Sequence, residues 1–66
     1  MAVKKVIQKG EYSDRDIIDL MNSLPPLKNI LKTIGEFKTF GRMLKAKLAV
    51  KNLSEEAIIT LAKNRP

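Results

Sequence analysis

The sequence predicts an all-α fold: a small three-helix domain spanning about 13–24, 27–50 and 54–64, preceded by a basic N-terminal arm. Three observations carry this reading. Apolar residues recur at intervals of three and four over most of the chain, serines able to cap a helix stand ahead of two of these stretches, and a Pro25-Pro26 pair separates the first stretch from the second.

The arm, residues 1–12, is expected to be mobile or to form a short strand. Val3, Val6 and Ile7 supply β-branched residues, but Lys5 interrupts any alternating apolar face. A strand ahead of two helices has the outline of a ribbon that pairs between subunits and enters a DNA groove, and the broken alternation argues against it.

The first helix begins where Ser13 can cap the chain and Asp16 stands three residues on. Ile17, Leu20, Met21 and Leu24 then form a core-facing stripe, and Asp14, Asp16 and Asp19 complement the positive end of the helix dipole. The aspartates lack the glycine and closing glutamate of a calcium loop, so no metal site is expected. Pro25 disfavours helix at Leu24, and prolines suit the first turn of the next helix.

That second stretch, residues 27–50, is expected to organise the rest. Leu27, Ile30, Ile34, Phe37, Gly41, Leu44 and Leu48 follow the three-four rhythm of a helical seam, which marks them as a candidate partner or oligomer interface. Lys28, Lys32, Lys38, Arg42 and Lys45 fall on a neighbouring arc. Glycine costs roughly 1 kcal/mol inside a helix, so either Gly35 ends a first helix, Leu27 to Ile34, and the chain restarts at Glu36, or one continuous helix, kinked at Gly35 or Gly41, tolerates the glycines; continuity is favoured because a glycine on an apolar seam suggests close backbone approach. Phe37 and Phe40 are expected in the core. The last helix opens at Ser54 with Glu55 and Glu56 in its first turn, and Leu53 and Ile58 are placed to form a hydrophobic staple.

Composition narrows the function. A chain of 66 residues has room for one domain, which buries only about 60% of the surface its unfolded chain exposes. Cysteine and histidine are absent, so disulfides, the usual zinc and iron sites, thiolate nucleophiles and imidazole bases are all excluded. The chain therefore reads as a non-enzyme with no metal or cofactor, for which self-association is the remaining support. No apolar run approaches the ~20 residues of a membrane span and no secretory signal is evident, so a cytoplasmic protein is expected.

The net charge is +6 and the pI about 9.9, which favours an anionic partner. Lys4, Lys5 and Lys9 load the arm, and six lysines and Arg42 against Glu36 load residues 25–51, whereas residues 11–24 are acidic. The leading expectation is a basic, regulatory nucleic-acid-binding protein. Lys28, Lys32, Lys38, Arg42 and Lys45 would contact phosphates without reading bases, assisted by Lys4, Lys5 and Lys9. The competing expectation is a protein–protein module, an inhibitor, adaptor or assembly factor, working through the seam. A membrane-surface helix is disfavoured by the absence of tryptophan and by an acidic first helix able to cover the apolar face. A helix-turn-helix over Arg42–Asn64 is disfavoured too, because its second helix would lead with Glu55 and Glu56 toward phosphate.

Overall fold

The computed structural model describes residues 6–64; Lys4 and Lys5 of the arm lie outside them. The described elements are β1 (Val6–Ile7), α1 (Asp14–Asn22), α2 (Pro25–Ile30), α3 (Ile34–Leu48), β2 (Leu53–Ser54) and α4 (Glu55–Lys63). The fold is all-α with one minimal antiparallel ladder, in which Val6 pairs with Ser54 and Ile7 with Leu53.

Local chemistry accounts for each helix start. Ser13 and Asp16 form a reciprocal capping box, with the Asp16 N–H donating to Ser13 Oγ at 3.1 Å and the Ser13 N–H to Asp16 Oδ2 at 3.0 Å. Pro25 and Pro26 occupy the first two positions of α2, where a missing N–H leaves nothing unpaired. Ser54 Oγ accepts from the Ala57 N–H, while Leu53 and Ile58 on either side of this cap are both buried, as a staple requires.

The expectation of one helix over 27–50 is corrected. Leu31 leaves helical conformation at φ −98° and ψ 90°, Thr33 is extended, and a new helix starts at Ile34. Thr33 Oγ1 caps it by accepting from the Glu36 N–H at 3.0 Å, and Glu36 Oε2 reaches back to accept from the Lys32 N–H at 3.3 Å. This cap outcompetes continuity, so Gly35 sits in the first turn of α3, and the helix runs on through Gly41. The domain has four helices among the described residues, not three.

The described part of the arm, residues 6–12, includes the short strand Val6–Ile7 and is hydrogen-bonded to the rest of the chain. Beyond the ladder, the Lys9 N–H donates to Asn52 Oδ1 at 2.6 Å, the Gly10 N–H donates to the Leu48 carbonyl at 2.9 Å, and the Tyr12 hydroxyl donates to the Gln8 carbonyl. The strand thus pairs within its own chain.

One core joins all four helices: Ile17 and Met21 from α1, Leu24, Leu27 and Leu31 from α2 and its flanks, Phe40, Leu44 and Leu48 from α3, Leu53 from β2, and Ile58 and Ala62 from α4. No polar or charged residue is buried among those described. No helix of the described residues is long and apolar enough to cross a membrane.

Candidate functional site

The seam residues take up two different environments. Leu27, Gly41, Leu44 and Leu48 are buried in the chain's own core, and Ile30 and Phe37 are half-buried against it. Ile34 alone of the seven stands out, 75% exposed in the first turn of α3. The break at 31–33 also divides the basic arc. Lys28 lies on α2 and Lys32 in the connecting turn, both exposed, whereas Lys38, Arg42 and Lys45 share one side of α3 at intervals of four and three.

That side of α3 meets α1. Asp14, at the start of α1, accepts from Lys45 Nζ at 2.9 Å, and further along α1 Ile17 and Met21 bracket Gly41, so the two helices run in opposite senses at their contact. A Cβ on Gly41 would lie 3.3 Å from Met21 Sδ and 3.6 Å from Ile17 Cγ2. Gly41 is therefore the point of close approach, as its place on the seam predicts.

Beside this crossing lies a groove of about 250 Å³. From α1 it is walled by Asp14, Ile17, Ile18 and Met21, and from α3 by Phe37, Lys38, Gly41 and Arg42. Its floor is apolar and open because Gly41 has no side chain, and Ile18 leans over it 42% exposed. Its rim is charged. The hydrogen bond from Lys45 and the attraction of that ammonium, with Arg42 adding to it, hold the Asp14 carboxyl below its ordinary value, so Asp14 is ionised and committed to Lys45. Lys38 and Arg42 are exposed and are not held in ion pairs with the described residues.

A second basic cluster was not legible in the sequence as such. The bond from the Lys9 N–H to Asn52 brings the arm, across a separation of 43 residues, against the residue that follows Lys51. Lys47 and Lys51 are one turn apart, the Lys51 N–H donating to the Lys47 carbonyl at 3.1 Å. Lys9 and Lys51 are exposed and Lys47 half-buried, which makes a basic corner at the C-terminal end of α3. A local signal existed for Lys47 alone, since cations in the last turn complement the helix dipole.

Among the described residues no cluster of acidic side chains is arranged to hold a metal ion. No family model, curated protein or solved structure matches the chain.

Proposed function

We propose that this chain is a small non-catalytic binding domain that associates with nucleic acid through its phosphates. The observation that supports this reading most directly is the basic corner, where the folded arm brings the backbone of Lys9 and Gly10 against Asn52 and Leu48, the chain neighbours of Lys51 and Lys47. Phosphate contact needs cations on the surface rather than a shaped pocket, and in the corner Lys9 and Lys51 are exposed and Lys47 is half-buried. Lys28 on α2 and Lys32 in the turn after it are exposed as well. Lys45 contributes less than its position suggested, because Asp14 already neutralises it.

The test is a titration of duplex and single-stranded DNA at a series of salt concentrations, read by fluorescence anisotropy. Three phosphate contacts give a log–log slope near −3 on duplex DNA, with little dependence on sequence. Replacing Lys9, Lys47 and Lys51 together by glutamine should remove most of that slope. Salt-insensitive binding, or a triple variant that binds as well as the parent, overturns the reading.

A further inference from the structure

From the groove between α1 and α3 we infer a docking site for an acidic amphipathic segment of a protein partner, which seats an apolar side chain between Ile18 and Phe37 and sets carboxylates against Lys38 and Arg42. At about 250 Å³ the groove falls below the roughly 300–1,000 Å³ of small-molecule sites and has the size for one or two side chains of a docked segment. The floor is apolar, being made by Ile17, Met21 and Phe37 with Gly41 leaving it open, so a phosphate backbone would leave it unused. An apolar anchor fills it.

The rim selects the sign of the partner. Asp14 is the acidic residue of the lining, and its charge is already met by Lys45 at 2.9 Å. Lys38 and Arg42, one helical turn apart on the opposite wall, present two positive charges to whatever enters. A segment carrying glutamates or aspartates on either side of its apolar anchor satisfies both features, which is the helix-in-groove mode of recognition. This site is separate from the basic corner of Lys9, Lys47 and Lys51, so it stands or falls independently of the nucleic-acid reading.

The experiment is a titration of the isotopically labelled protein, followed by NMR, with three synthetic peptides. One alternates leucines at i and i+4 with glutamates, the second has every glutamate replaced by lysine, and the third has the leucines replaced by alanine. The first should shift the amide signals of Ile18, Phe37, Gly41 and Arg42, and the other two should bind at least about tenfold more weakly. Arg42→Glu and Lys38→Glu, both at exposed positions, should each weaken the first peptide by about tenfold without changing the thermal midpoint.

Absence of binding at millimolar peptide overturns the proposal, as does equal binding of the lysine peptide or shifts that map elsewhere. Concentration-dependent sedimentation of the protein alone, with the same amides shifting, would make the occupant a second copy. Displacement of these signals by DNA would make it phosphate. Either result overturns the assignment to an acidic partner.

Discussion

Gly41 shows how one missing methyl group sets the packing of two helices. Glycine weakens a helix by about 1 kcal/mol relative to alanine, yet here a Cβ would press on Met21 Sδ at 3.3 Å, closer than side chains ordinarily meet. The two effects oppose each other. Met21 is fully buried but flexible, and the groove beside it gives its thioether room to yield. Gly41→Ala should therefore change stability by less than about 1 kcal/mol, while Gly41→Leu, which Met21 cannot accommodate, should lose 1–3 kcal/mol or more, on the order usual for overpacking. In a Met21→Ala background the clash is gone, and Gly41→Ala should then stabilise by about 1 kcal/mol; denaturant melts of the four-member cycle check this coupling. Asp14 offers a second residue-scale test. Its folded value is lowered, so its contribution to stability is complete above the ordinary carboxylate value and is lost as pH falls through the lower folded value. In Lys45→Gln the Asp14 carboxyl should titrate closer to that ordinary value, as followed by carbon NMR.

At the scale of the element, α3 is defined by its start. The run Thr33-Ile34-Gly35-Glu36 has the form of a capping box, and this local signal prevails over the apolar rhythm that runs across it. Thr33→Ala should cost about 1 kcal/mol, the usual penalty for removing a helix cap. The two ends of the former seam should respond in opposite ways. Leu44 is fully buried and Leu44→Ala should lose 2–5 kcal/mol, whereas Ile34→Ala, at a position 75% exposed, should stay within about 0.5 kcal/mol. If the Leu44 penalty grew on dilution, the residue would be holding an assembly together; a core residue of a single chain gives a penalty independent of concentration.

For the whole molecule, the minimal ladder and its neighbouring bonds close the chain. Val6 and Ile7 pair with Ser54 and Leu53, and Lys9 and Gly10 donate to Asn52 and Leu48, so the first described residues are fastened to the joint between α3 and α4. Asn52→Ala should leave the helices intact while hydrogen exchange quickens at Lys9 and around β1, because the side-chain acceptor is lost and local opening becomes easier. Loss of protection across the entire core would instead mean that the tether is needed for folding.

The sequence by itself determined what neighbours within a turn can decide. The start of α1 at Ser13, the role of Pro25 and Pro26, the staple of Leu53 and Ile58, and the apolar stripes of α1 and α4 all rest on interactions between residues a few positions apart. The Thr33–Glu36 cap belongs to the same class and was readable, but the longer seam pattern obscured it. Tertiary structure alone decided which partners distant residues would find. Lys9 meets Asn52 over 43 residues and Asp14 meets Lys45 over 31, and no local pattern marks either pair. It also decided that Leu27, Leu44 and Leu48 turn into their own core while Ile34 faces outward, because a helical stripe says which residues are apolar together but not which part of it another element will cover. The groove and the basic corner exist only through these closures, since each is assembled from segments that are far apart in the chain and come together when the core is buried.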